Sequence, residues 1–169
     1  MGVYPSAYFA CTEAESAIDR TEEGEMSTKL LAYIGGRNTQ NQQLGMTTPP
    51  FLTKMSVVKD NDFNVWVTKE MCYYIQENFQ GNPPTPYDPD VFIVKKAERV
   101  VFVKTFMGDG SALTDSSWIL ENETFRAKVA EMGMVNEVEF DHFYTANYDW
   151  WSEHEVMLEK KQLNLFNLF

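Results

Sequence analysis

Between Leu30 and Pro50 the chain reads LLAYIGGRNTQNQQLGMTTPP, and this order of a helix end, two glycines, a polar turn and a proline-closed strand entry constrains the fold more than any other stretch. Met26, Leu30, Leu31, Tyr33 and Ile34 recur at helical spacing, which predicts about three turns of helix with one broad apolar face turned inward. Gly35 and Gly36 then stop the helix, because glycine enters the left-handed conformation that closes a helix C-terminus.

The same reading predicts two similar halves. In the first, an apolar strand from Val3 to Thr12 precedes an acidic stretch from Asp19 to Glu25, the helix to Ile34, and strands near Met46–Val58 and Phe63–Met71. In the second, a strand from Arg99 to Phe106 precedes a helix, Gly133, and strands at Glu137–Thr145 and His154–Lys161. Thr114 or Asp115 can cap the second helix, and Trp118, Leu120, Phe125, Val129 and Met132 supply its apolar positions. Strands interrupted by two helices indicate an α+β fold on antiparallel sheet. Pro83, Pro84, Pro86 and Pro89 hold the connector after Asn82 extended at the surface.

At 169 residues and 44% hydrophobic, the chain can bury one core, so residues 1–162 are expected to form a single domain, followed by an apolar tail, LNLFNLF, at 163–169. That tail either docks on the domain or makes an oligomer contact. A net charge of −11 argues against nucleic-acid backbones and anionic membrane surfaces as partners. No apolar run reaches membrane-spanning length and the N-terminus lacks a basic region followed by an apolar one, so a cytoplasmic location is expected. In that setting Cys11 and Cys72 are expected as two buried thiols rather than a disulfide.

Catalytic patterns are absent: there is no G-x-S-x-G elbow, no glycine loop with lysine for phosphate, no H-E-x-x-H and no paired C-x-x-C. Asp141 and His142 are adjacent, so in a strand they would point to opposite faces. Enzymatic activity is therefore not expected, and an enzyme would have to rely on a buried carboxylate such as Glu70 or Glu155. Nearly all of the nine methionines lie beside apolar positions and read as core filling.

The motif Tyr33, Gly35, Gly36, Asn38, Met46, Thr47 and Pro49 resembles the SOUL or heme-binding protein family, whose apolar helix ends in Y-x-G-G-x-N before M-T-x-P. VWVTKEMCYYIQENF, GNPPTPYDPDVFI, VVFVKTFMG and the residues Tyr148, Asp149, Glu155 and Val156 extend the resemblance from about Tyr4 to Lys160. It implies a distorted eight-stranded antiparallel β-barrel flanked by two α-helices, with a further strand usual before Tyr4.

The resemblance also implies reversible binding of heme or another tetrapyrrole in a shallow apolar groove between the first helix and the loop joining the last two strands. On this chain that groove would carry Gly24, Thr28, Leu31 and Ala32 on the helix, and Tyr148, Trp150, Trp151 and His154 on the loop. Gly24 and Ala32 replace basic residues of some members, leaving Lys29 or Arg37 to attract the propionates. Trp150 and Trp151 can stack on a macrocycle, and His154 is a candidate ligand to iron. Equally, the two indoles can complete the hydrophobic end of the barrel, with His154 a hydrogen-bonded strand residue and His142 structural or at the surface. Three functions follow: a tetrapyrrole carrier or buffer, an apolar-ligand or protein-partner module that has lost heme, and an enzyme using one carboxylate.

Overall fold

The computed structural model describes residues 1–20, 22–59, 61–62, 64–109, 113–139, 141–148 and 153–161. Its first half runs β1 (Gly2–Tyr4), β2 (Ala7–Ala17), α1 (Glu23–Ile34), β3 (Leu52–Lys59) and β4 (Val65–Tyr74). The second half repeats the series as β5 (Phe92–Lys96), β6 (Arg99–Met107), α2 (Asp115–Glu131), β7 (Phe143–Asn147) and β8 (Glu153–Glu159). Short 3-10 turns occupy Glu77–Phe79 and Val135–Glu137. The strand expected over Val3–Thr12 is two strands, because Pro5 has no N–H for a ladder and breaks the run. The apolar tail at 163–169 lies outside the described residues.

All eight strands form one antiparallel sheet in the order β1-β6-β8-β7-β3-β4-β2-β5. The β2-β4-β3 trio of one half meets the β6-β8-β7 trio of the other where β3 pairs with β7, and each half lends its first strand to the other. Only Pro5 and Ser6 join β1 to β2, and only Ala97 and Glu98 join β5 to β6. Such links span about 10 Å, whereas strands six places apart in a flat sheet would be about 29 Å apart. The sheet must therefore curl into a distorted barrel. Arg99 of β6 over the Phe9 ring of β2, at 6.0 Å, brings together strands from opposite ends of that order.

Both helices lie on the convex face. Met26, Leu30, Tyr33 and Ile34 of α1 pack on Ala10, Met71, Tyr73 and Ile75, and Trp118, Phe125 and Val129 of α2 pack on Met55, Phe143, Val156 and Leu158. Each such side chain contributes about 1.5–3 kcal/mol relative to exposure. Two residues assigned to inward faces by spacing instead point out: Leu31 is 45% exposed and Leu120 66% exposed. The buried arc of α1 is thus narrower than the run of apolar residues suggests. Met132, at the end of α2, is exposed too.

The loop after α1 explains its motif. Gly36 has φ +107°, which favours glycine. Asn38 is fully buried and satisfied: Nδ2 donates to the Tyr33 and Gln42 carbonyls at 3.2 and 2.7 Å, and Oδ1 accepts from the Gln40 and Gln42 N–H groups. Tyr33 and Tyr73 hydroxyls donate to the Pro84 and Gly45 carbonyls at 2.9 and 2.6 Å. Burial pushes both phenols up to about 12.

At the centre of the convex face, Lys69 of β4 is 2% exposed and ion-paired to Asp115, itself 3% exposed, and to Glu23 at 3.1 Å. Burial opposes the Lys69 charge, but the hydrogen bond it donates to Asp115 and the charges of Glu23 and Asp115 outweigh it and hold the pKa above 10.5. Asp19, at φ +61°, completes the junction. Its carboxylate accepts from Ser116 N (2.8 Å) and Ser116 Oγ (2.6 Å), and its N–H donates to Asp115 Oδ2 (3.0 Å). These carboxylates sit where the N-terminus of α2 favours negative charge, beside the Thr114 cap, whose Oγ1 accepts from Ser117 N at 3.3 Å.

Cys11 and Cys72 correct the expectation of free thiols: they are paired as a disulfide across β2 and β4. Residues 61 apart are brought into direct opposition by register, which spacing along the chain does not reveal. Among the described residues no helix is long and apolar enough to cross a membrane.

Replacing Asp115 by Ala leaves the buried ammonium with only the more exposed Glu23 and is expected to lower unfolding free energy by about 3 kcal/mol, the low end for breaking a buried pair, in urea denaturation. The double replacement Lys69→Met with Asp115→Leu should recover most of that loss. Equal destabilisation in both variants would show that packing, rather than the uncompensated charge, sets the cost.

Candidate functional site

The outer face of α1 carries the expected helix residues. Thr28 is exposed, with Oγ1 donating to the Gly24 carbonyl at 2.7 Å, Leu31 is exposed, and Ala32 is half-buried. A Cβ added at Gly24 would meet nothing within 4 Å. Small side chains around one exposed leucine make an open apolar strip suited to lie against a flat ring. Lys29, expected as a propionate partner, is already held by Glu25 and Asp90 at 2.9 Å each. Those hydrogen bonds raise its pKa. Arg37 is exposed.

On the loop side, Tyr148 is half-buried and its hydroxyl donates to Glu155 at 2.8 Å. Burial first, then this hydrogen bond, raises the phenol pKa. Trp150 and Trp151 lie outside the described residues. His154 is fully buried on β8 between Phe106 and Trp118, with Nδ1 3.0 Å from Asn147 Oδ1 and Nε2 3.2 Å from the Gly108 carbonyl oxygen. Ligation of iron by His154 finds no support in this arrangement: the ring shows no edge to solvent and both nitrogens are engaged. The sequence had left open a hydrogen-bonded strand role, and the geometry matches it. The residues therefore fit the apolar face of a tetrapyrrole and not its iron.

The concave face holds a polar network that spacing missed. His142 Nδ1 lies 2.6 Å from Asp141 Oδ1 and Nε2 3.3 Å from Glu159 Oε2. The Tyr144 hydroxyl donates to Glu159 at 3.0 Å and accepts from Arg99 at 2.8 Å. Asp141 and His142 can touch because they precede β7 in a bend, where strand alternation does not apply. Arg99, Tyr144 and Glu159, with Lys54, Glu70, Lys96 and Glu98, line a cavity of about 250 Å³. The two carboxylates singled out from sequence are committed, Glu70 to Lys96 and Glu155 to Tyr148. A second cavity, about 290 Å³, lies between α2 and the sheet, walled by Ile18, Val57, Val65, Ile119 and Phe143 together with the polar Lys59, Asn122, Glu123, Arg126 and Asp141. Asn122 lines it, 2% exposed, with Oδ1 lacking a hydrogen-bond partner among the described residues.

The hydrogen bond from His142 holds the Glu159 carboxyl below its ordinary 4.5, helped by Tyr144 and Arg99 against burial. A depressed carboxylate contributes stability that is present above the ordinary value and lost as pH falls through the lower folded one. Urea midpoints should therefore drop below pH 4.5 less steeply in His142→Leu than in the parent protein. Parallel profiles would contradict the coupling.

Residues 3–159 match the family model described as SOUL heme-binding protein. Heme-binding protein 2 of Homo sapiens is 35% identical over 124 residues, covering 72% of this chain and 56% of the relative. Heme-binding protein 1 of Mus musculus is 25% identical over 125 residues, covering 74% and 62%. The chain thus spans little more than half the length of these relatives. Among solved structures, the EcmrR C-terminal domain superposes with TM-score 0.56 at 11% identity, covering 96% of each chain, a likeness of fold. With the family model matched from β1 to the end of β8, the chain belongs to the SOUL heme-binding protein family.

Proposed function

We propose that the chain binds heme or a related tetrapyrrole reversibly, as a carrier or buffer, in the shallow groove between the outer face of α1 and the loop joining β7 to β8. The observation that carries this reading is Leu31, a large apolar side chain 45% exposed on the helix whose end bears the family motif. Thr28 and Ala32 flank it, and Tyr148, Trp150 and Trp151 would close the other side. Apolar contact and indole stacking supply the affinity. When bound, heme would bring its own redox and ligand chemistry; the protein's part is to shield one face of the ring.

Weak attraction for propionates suits reversible exchange. Lys29 is engaged and the chain carries −11, so a dianionic ligand meets net repulsion that salt screens. The reading is of a binding protein rather than an enzyme, since Glu70 and Glu155 both serve other partners. Its proposed setting is cytoplasmic, where reducing thiol pools would keep Cys11 and Cys72 apart. The apolar tail at 163–169 is proposed as an oligomer contact, with no nucleic-acid or membrane partner.

A second reading, an apolar-ligand module that no longer takes heme, is favoured by the 290 Å³ cavity beneath α2 and the unpartnered Asn122 oxygen. Hemin titration followed by absorbance separates the two. The carrier reading expects a saturable Soret shift, weakened roughly tenfold or more by Leu31→Asp, a loss of about 1.4 kcal/mol, and unchanged within about twofold by His154→Gln. No saturable shift would move the second reading to first place.

A further inference from the structure

The concave wall of the barrel brings three metal-ligating side chains together. Cys11 and Cys72 oppose each other across β2 and β4 with Cα atoms 4.1 Å apart. Glu70 lies two residues before Cys72 and so shares its face of the sheet. Both sulfurs and a Glu70 oxygen lie within 4.8 Å of one another. We propose that the reduced pair, together with Glu70, is a binding site for one thiophilic divalent cation of the Zn²⁺ type, and that the disulfide is the closed form of that site.

The geometry suits such an ion. Tetrahedral zinc with bonds of about 2.3 Å to sulfur holds two thiolates about 3.8 Å apart, a spacing that opposed residues on adjacent antiparallel strands reach without moving the backbone. Glu70 supplies an oxygen donor, and a carboxylate can bind metal through one oxygen while the other keeps its ion pair with Lys96. Two thiolates and a carboxylate exceed a divalent cation by one negative charge. Lys96 offsets that excess, and Lys54 stands opposite Glu70 in the β3–β4 register. Glu70, Lys54 and Lys96 line the 250 Å³ cavity, which gives the ion an approach and a water a place in the fourth position.

Opening the site is a two-electron reduction. One thiolate of a dithiol reductant attacks a disulfide sulfur to form a mixed disulfide, and its second thiol displaces the remaining cysteine. The reductant leaves as its own disulfide, and Cys11 and Cys72 are left as thiols. Binding the cation then forms two metal–sulfur bonds and releases two protons to water.

The full chain, reduced with a phosphine that leaves as phosphine oxide and then freed of it, is titrated with Cd²⁺ as probe. One equivalent should produce a saturable thiolate-to-cadmium charge-transfer band, and the oxidised protein none. Glu70→Gln should keep the band but weaken affinity by more than about 100-fold, beyond the roughly 10–100-fold that the loss of an outer-sphere partner commonly costs. Independently of any variant, one equivalent of Zn²⁺ should protect both thiols of the reduced parent protein from alkylation. Absence of a saturable band, alkylation at the same rate with and without Zn²⁺, loss of the native circular dichroism spectrum on reduction, or unchanged affinity in folded Glu70→Gln would each overturn the proposal.

Discussion

The Lys69 ammonium, buried between Asp115 and Glu23, fixes where both helices begin. β4 is paired on both sides, to β2 and β3, so Lys69 is a rigid post near the middle of the convex face. Asp115 opens α2 and Glu23 opens α1, and each carboxylate is both a partner of the cation and a favourable charge at a helix N-terminus. Asp19 joins them by bonding to Ser116 and Asp115. With their starts tied together, α1 and α2 cover separate parts of the sheet with two distinct cores. An ion pair so buried contributes little net stability compared with apolar packing; its effect here is to allow one helix placement.

That placement decides which residues are free for function. Because α1 is held by Met26, Leu30, Tyr33 and Ile34, its opposite face with Thr28 and Leu31 is left to solvent. Because α2 covers β6 and β8, Trp118 seals His154 beneath it. Exposure of Leu31 on the α1 side and imidazole burial on the α2 side are two results of the same packing. The concave face is separated from both by the thickness of the sheet, which is why a polar network around Tyr144 and a cysteine pair can occupy it independently.

Much of the fold was legible in the sequence because it is written in local signals. The apolar spacing and paired glycines set α1, Thr114 and Gly133 bracket α2, and the repeated strand-helix-strand-strand order is seen in both halves. The short connections at Pro5–Ser6 and Ala97–Glu98, which force closure of the barrel, were not read as such: Val3 to Thr12 passed for one strand, and their meaning emerges only with the strand order. What was not legible depends on register or on burial of polar groups. A lysine within an alternating strand reads as solvent-facing, so Lys69 gave no sign of its two acids. Cys11 and Cys72 meet through pairing 61 residues apart. Asp141 and His142 come together because the chain bends before β7. Leu31 was counted both with the inward face and with the groove, since hydrophobicity alone cannot distinguish a core position from a binding surface. For His154, the residue type suggested a ligand while the local alternation, with Val156 and Leu158 on the same face, already pointed inward.

We propose that a tetrapyrrole lies on the outer face of α1 without help from iron ligation by His154. The most direct test is a backbone-amide NMR titration with metal-free protoporphyrin IX, which has the ring and propionates but no metal. Saturable shifts are expected between Gly24 and Gly35 and at Tyr148, with affinity within about a few-fold of that for hemin. Shifts centred instead on Arg99, Tyr144 and Glu159, or on Asn122, or binding that requires iron, would contradict it.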